Sequence, residues 1–404
     1  MYFSLSWRNI WRNKKRTLIV AASVFFAVIL SAVMRSAQLG SYSYMIHSSA
    51  KLLTGYLQVQ GKGYWDNRSL DRSIIVEKSS EEQIAKIPYI TNLTPRLESF
   101  VLISFGSGTK VSSIIGVDPV KEDRMTGLKS RLIKGEYLTD NSTGMLIAAG
   151  LAEILKADTG DSIVILGQGY HGQTAAACLP VLGIVKLPFE AMNNAMVFLS
   201  LKKAQEVFSA NDRITSLPIM IDDIYNLEKT LTSVQQIVGD KYDIMTWNEM
   251  MPDLEQNIEV DSASGIIMLA ILYIVIGFGV FGTVMMMVSE RSKEFGILVS
   301  IGMRKWKLIM VTSIETILVS FLGAVAGILG GIPIILYLKY NPIRLTGEAA
   351  KLYDQLGIEP IFAFSAEPII FISQASVVFI IALVTILYPL LYIRKLEPVN
   401  VLRG

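Results

Sequence analysis

Three stretches of this chain are apolar for longer than a strand or an ordinary core helix can use. Ser264 to Val288 and Ile369 to Ile393 carry no charge, and Leu308 to Leu338 carries one, Glu315. A fourth run, Leu18 to Met34, is shorter and equally free of charge. A hydrocarbon core about 30 Å thick takes roughly 20 apolar residues in helix. Inside it the backbone has no water to bond, so runs of this kind must be helical. Four spans put both ends of the chain on the same side.

The cations say which side. Residues 1–17 hold five Lys/Arg and no acid, residues 289–307 hold five against two, and residues 394–404 hold three against one. The loop 339–367 has three basic and four acidic residues. Positive charge collects on the cytoplasmic side of membrane proteins, so the termini and 289–307 are expected there. At the start, Phe3, Trp7, Ile10 and Trp11 share one helical face, with Arg8, Arg12, Lys14, Lys15 and Arg16 supplying charge. That pattern suits a helix lying in the headgroup region of an anionic leaflet. The other reading, the basic start of a cleaved signal peptide, fits less well. Leu18 to Met34 is long for its apolar region, and Arg35 stands where a small residue is wanted.

The expected division is a cytoplasmic-interface helix at 1–16, spans at 17–35, 263–288, 308–338 and 368–393, a cytoplasmic connector at 289–307, a short outer loop at 339–367 and a cytoplasmic tail at 394–404. Residues 36–262 are too polar for membrane and too long for a loop. Alternating runs predict strands at Arg96–Ser104, Val111–Val117, Met145–Ala148, Ser162–Leu166, Leu179–Val185, Ala195–Leu199, Ile219–Ile221 and Ile244–Thr246. Leu201–Phe208 and Tyr225–Val238 read as helices. Gly106-Ser107-Gly108, Asp118-Pro119 and Asp140-Asn141 read as turns, and the glycines at 61, 63, 167, 169 and 172 as hairpin turns. Ala37–Lys51 and Asp253–Ser264 contain no Pro and can continue the first two spans as helical stalks. The fold class is thus a four-helix membrane protein with a large α+β extracytoplasmic domain between helices 1 and 2.

Little in the chain points to catalysis. No G-x-x-x-x-G-K-[ST] phosphate loop, nucleophile elbow or zinc-protease motif is present. Two histidines and one cysteine cannot make a His/Cys metal cluster or an internal disulfide. Cys178 is expected as a small core residue. A net charge of +2 gives no reason to expect nucleic acid as a partner. Glu315, alone in an apolar run, is either a functional group or a carboxylate that snorkels or caps a neighbouring helix. Gly323 and Gly327 have the spacing for close helix packing, within the chain or across a dimer, or serve flexibility alone. In the connector, Glu290, Arg291 and Glu294 open the segment and Arg304, Lys305 and Lys307 close it. Phe295, Leu298 and Ile301 share a face, with Trp306 nearby, and Gly302 breaks the helix. A charged amphipathic connector of this kind is a candidate grip for a soluble partner.

These residues resemble a known family. S-E-R-S-K-E-F-G-I-L-V-S-I-G-M-R-K-W-K-L-I looks like the E-R-x-x-E-[IF]-G-[IV]-L-x-x-[IL]-G-x-x-[RK] signature of ABC transporter permeases of the MacB/LolC-LolE/FtsX (type VII, mechanotransmission) superfamily. W-R-N-I-W-R-N-K-K-R-T and Y-P-L-L-Y-I-R-K-L-E-P-V-N-V-L-R are similar to the family's ends. I-G-V-D-P, I-K-G-E-Y-L and M-L-I-A-A-G-L-A-E-I-L-K-A-D-T-G-D-S-I are similar to its periplasmic core. The resemblance implies an outer domain with porter and sabre lobes, a bacterial inner-membrane location and a second permease as homodimer or heterodimer partner. It also implies a separate cytoplasmic ABC ATPase dimer that uses ATP and Mg²⁺, so that this chain binds no cofactor and is no enzyme. Glu290, Arg291, Glu294, Phe295, Leu298, Gly302 and Arg304 would then form the helix that couples to the ATPase. F-E-A-M-N-N-A-M-V-F-L-S-L-K-K-A-Q-E-V-F looks like the LolC/LolE type, which implies extraction of lipoproteins, with a periplasmic carrier or adaptor. The alternatives are a MacB-type exporter of drugs, toxins or peptides and an FtsX-like regulator of a cell-wall hydrolase.

Overall fold

The structure, a computed structural model, describes residues 2–12, 14–348, 350, 353 and 360–397. Met1, Asn13, most of the 349–359 segment in the outer loop, and the tail from Pro398 with the last part of the C-terminal motif lie outside the described residues. The chain forms two compact units: residues 1–43, 257–344 and 361–404, and residues 44–256 with 345–360.

The first unit contains four helices long and apolar enough to cross a membrane. Lys14–Leu52 and Pro252–Glu290 each run for 39 residues, about 58 Å at 1.5 Å per residue. That is nearly twice a bilayer core. Both helices therefore continue without a break past their apolar runs, as the stalk reading expects. The third helix is Lys305–Tyr340. The fourth is broken: Pro368–Val384 is followed by Leu387–Lys395. Pro389 explains the break, because it has no N–H to offer the carbonyl of Thr385 and its ring crowds that carbonyl. The second helix buries one stripe, Leu269, Ile276, Val280, Val284, Met287 and Val288. Val24, Val28, Ala375, Val378 and Ala382 complete that core.

Polar side chains join the first two helices within this unit. Arg35 donates to Gln38 at 2.6 Å, Gln38 to the Tyr42 hydroxyl at 2.9 Å, and Tyr42 to Asp261 at 2.5 Å. Ser36 donates its hydroxyl to the Ser365 carbonyl at 2.6 Å, tying the segment before the fourth helix to the first.

The second unit is one connected sheet of eleven strands: β1 (Leu57–Gln60), β2 (Ile90–Leu93), β3 (Arg96–Phe105), β4 (Gly108–Val117), β5 (Leu132–Gly135), β6 (Met145–Ala148), β7 (Ser162–Gln168), β8 (Thr174–Val185), β9 (Met196–Ser200), β10 (Ser216–Ile221) and β11 (Asp243–Thr246). It has two cores. β1, β2, β10 and β11 carry a smaller one, where Leu57, Val59, Leu217 and Ile219 pack on Ile84 of helix Lys78–Ala85 and on Val234 and Val238 of helix Leu227–Val238. The larger core belongs to a ring of six strands. β3 pairs with β4, β4 with β9, β9 with β6, β6 with β8, β8 with β7, and β7 returns to β3. Closure removes the free edges a sheet would expose. Val101, Ile103, Ile114, Ile147, Ile163, Ile165 and Val197 fill this lobe's core. The two cores match the two lobes that the resemblance implies.

Several local expectations are corrected. Cys178 is exposed, because inward Leu179 and Ala175 fix the parity of β8 and turn Cys178 outward. Asp118-Pro119 starts a helix: the Asp118 carboxylate accepts from Val120 and Lys121 N–H, with Pro119 at the first helical position. Gly61 and Gly63 follow β1 in a turn that is not a hairpin, since β1 pairs with β10 and β11.

Candidate functional site

Three local features shape the connector. The second membrane helix ends at Glu290, and Arg291 leaves helical geometry at φ −95°, ψ 3°. A short helix, Ser292–Ser300, restarts at once, with Phe295 N–H donating to the Arg291 carbonyl at 2.9 Å. Gly302 then stops it in the left-handed region at φ +100°. Gly302 N–H donates to Val299 O at 3.1 Å and Met303 N–H to Leu298 O at 3.0 Å. This paired closure is the Schellman motif, which favours glycine at the left-handed residue. Arg304 is extended and the third helix begins at Lys305, whose Nζ donates to the Arg394 carbonyl at 3.1 Å.

The short helix is clamped to the bundle by a buried ion pair. Arg291 Nη1 donates to Glu315 Oε2 at 2.7 Å, and the two residues are 4% and 3% exposed. Arg291 Nε also reaches Glu294 Oε2 at 3.4 Å, and the guanidinium lies 5.2 Å from the Phe295 ring centroid. Thr17, Val20, Met287, Thr316 and Val319 line the space around the pair. Burying two charges costs several kcal/mol each, and their attraction offsets this only when geometry is good. Removing one partner is therefore worse than never having had the pair. Arg12 Nη2 lies 3.9 Å from Glu294 with both side chains well exposed, a contact worth about 0–1 kcal/mol.

This geometry sorts the expected connector residues into two groups. Arg291 and Phe295 are buried, so Phe295 does not share a face with exposed Leu298 and Ile301 as the spacing suggested. The ring of Phe295 has the core of the bundle on one side and the guanidinium of Arg291 on the other. Glu290, Glu294, Leu298, Gly302 and Arg304 are exposed. So are Ile297, Ile301 at 79% and Trp306 at 69%. The exposed surface thus carries apolar Ile297, Leu298, Ile301 and Trp306 among charges of both signs, Glu290 and Glu294 beside Lys293, Arg304 and Lys307. Ile297 was not among the residues singled out from the sequence. Its signal was present: it is a large apolar residue one position from Leu298, in the apolar stretch between Glu294 and Arg304.

Glu315 neither snorkels nor caps; it is the buried counter-ion of Arg291. Gly323 and Gly327 pack within the chain. A Cβ on Gly323 would stand 2.7 Å from the Ala21 carbonyl oxygen, and one on Gly327 would stand 2.8 Å from Val28 Cβ. The two glycines let the third helix approach the first more closely than any side chain permits. The N-terminal helix, Tyr2–Arg12, also docks on the third: Ser6 Oγ donates to Val311 O at 3.0 Å, and Ile10 is buried beside Val20, Met287 and Val319.

A second buried pair lies in the outer unit. Arg96 donates to both Glu122 oxygens, at 3.0 and 2.7 Å, and also to the Leu53 carbonyl. Leu53 directly follows the C-terminus of the first long helix, where a cation suits the helix dipole. Among the described residues no group of three or more His, Cys, Asp or Glu could hold a metal ion.

Comparison with known proteins agrees with this layout. Residues 17–237 match the family model of the MacB-like periplasmic core domain, and residues 266–398 that of the FtsX-like permease C-terminal region. The macrolide export ATP-binding/permease protein MacB of Mannheimia succiniciproducens is 23% identical over 342 residues, covering 81% of this chain and 52% of the relative. The lipoprotein-releasing system transmembrane protein LolC of Xylella fastidiosa is 20% identical over 330 residues, 78% of each chain. The chain spans about half the length of the MacB relatives it matches. Among solved structures, the periplasmic region of MacB from Actinobacillus actinomycetemcomitans aligns over 49% of this chain and 91% of that one, at TM-score 0.36 and 18% identity.

Proposed function

We infer the function from family and geometry together: the chain belongs to the permeases built from a MacB-like periplasmic core domain and an FtsX-like C-terminal region. We propose that it is a membrane subunit of an ATP-driven ABC complex in a bacterial inner membrane, with both termini cytoplasmic. A separate ATPase dimer uses ATP and Mg²⁺, and a second permease completes the complex. This chain catalyses no reaction itself. The connector carries the proposal. Its exposed face is apolar and flanked by charges of both signs, and its inner face is locked to the third helix by the Arg291–Glu315 pair. A force applied at Leu298, Ile301 and Trp306 is thereby passed into the helix bundle. The two 39-residue helices then carry it beyond the apolar runs.

For cargo we propose lipoproteins drawn from the outer leaflet of the inner membrane, with a periplasmic carrier or adaptor receiving them. Support comes from the equal coverage, 78% of each chain, with a relative named for lipoprotein release. Export of a drug, toxin or peptide is the second reading, favoured by the 23% identity to a macrolide exporter. Reconstitution with the partner ATPase in liposomes carrying a triacylated lipoprotein separates them. ATP-dependent transfer of that lipoprotein to a soluble acceptor is expected. No transfer, together with ATPase stimulation by macrolides, would sink the lipoprotein assignment.

A further inference from the structure

The N-terminal helix presents three edges: one is packed on the bundle, one is exposed and aromatic, and one is cationic and touches the rest of the chain through Arg12, 3.9 Å from Glu294. Going round the helix at about 100° per residue, the packed edge, Ser6 and Ile10, comes first. Next comes an exposed aromatic stripe of Phe3, Trp7 and Trp11, and then exposed Arg8 and Arg12. The Trp7 and Trp11 rings meet edge to face at 6.3 Å, and Lys14 Nζ sits 5.6 Å from the Trp11 ring centroid. Lys15 is exposed as well, and residues 1–17 contain no acid. The first membrane helix begins at Lys14, so these residues sit where the chain enters the bilayer.

We propose that this surface binds anionic phospholipid and that the leaflet shares Arg12 with the connector. Tryptophan rings partition to the headgroup level, where one side is apolar and the other wet. Arg8, Arg12, Lys14 and Lys15 supply the charge for phosphodiester anions, and no carboxylate on this helix opposes them. Arg12 is the shared group: it lies 3.9 Å from Glu294, which also faces Arg291 at 3.4 Å. A phosphate that draws Arg12 toward the leaflet leaves Glu294 to Arg291 alone. Anionic lipid content thus sets the charge pattern of the connector. That the leaflet is the cytoplasmic one rests on the orientation proposed above; the lipid chemistry does not.

The test uses the full chain without any ATPase, so that it stands whatever the motor is. It is placed in phosphatidylcholine vesicles containing brominated phosphatidylglycerol or brominated phosphatidylcholine. Quenching of Trp7 and Trp11 is read as the difference from a W7F/W11F variant. Brominated phosphatidylglycerol is expected to quench more strongly. Its advantage should drop roughly fivefold in R8Q and again in R12Q, about the worth of one surface cation each, and should shrink in high salt. Glu294→Gln, which removes the competitor for Arg12, should raise it. Equal quenching by both lipids, or an advantage insensitive to the arginines, would overturn lipid recognition. An advantage abolished by millimolar inorganic phosphate would show a small-anion site instead of a leaflet. An unchanged advantage in E294Q would overturn the sharing of Arg12.

Discussion

The Arg291–Glu315 pair shows what one residue's burial decides. Glu315→Gln leaves a guanidinium buried without its counter-ion, an expected loss of about 3–5 kcal/mol. Arg291→Met with Glu315→Leu removes both charges and should recover most of that loss. Thermal unfolding of the detergent-solubilised chain measures this. A double variant as unstable as the single one would contradict the pairing. Part of this was legible in the sequence: a lone carboxylate in an apolar run demands a partner, and Glu315 stood out for that reason. Its partner was not legible, because 24 residues and a helix break separate the two, and no periodicity spans a break. Cys178 failed differently. Its neighbours are apolar, but only the burial of Ala175 and Leu179 in the folded β8 shows which side each residue faces.

At the scale of elements, glycines set how close helices come. Gly323→Val and Gly327→Val push methyl groups into the first helix, and overpacking of that kind costs about 1–3 kcal/mol. Gly279→Val is the control, since an added Cβ there meets nothing within 4 Å. Melting temperatures should fall for the first two and stay put for the third; equal effects would mean that helix propensity, not contact, governs all three. The G-x-x-x-G spacing was visible beforehand, while its occupant, the first helix, was not. Strands β3 and β4 were readable as longer β-rich runs, and β6 and β9 as short apolar ones. β1 was not singled out although Leu57-Gln58-Val59-Gln60 alternates, because the run is only four residues long; the structure buries all four side chains. Ring closure was invisible as well: alternation marks a strand but does not name its partner, and β4–β9 and β6–β8 are parallel pairs between distant segments.

At the scale of the molecule, the four long apolar runs set the number of membrane helices, and the connector's exposed patch is the surface on which the proposed function depends. Cys178, the single cysteine and an exposed one, gives a direct reading of orientation. A membrane-impermeant maleimide added to spheroplasts should label the wild type and not Cys178→Ser; labelling only after lysis would reverse the orientation. The measurement that reaches furthest is copurification and ATPase stimulation with the stand-alone motor in an Ile301→Glu/Trp306→Ala variant. Both side chains are exposed, so the melting temperature should stay at the wild-type value. Motor binding and stimulated hydrolysis should be lost. A variant that still binds the motor and stimulates it as the wild type does would show that the connector does not couple the chain to the ATPase.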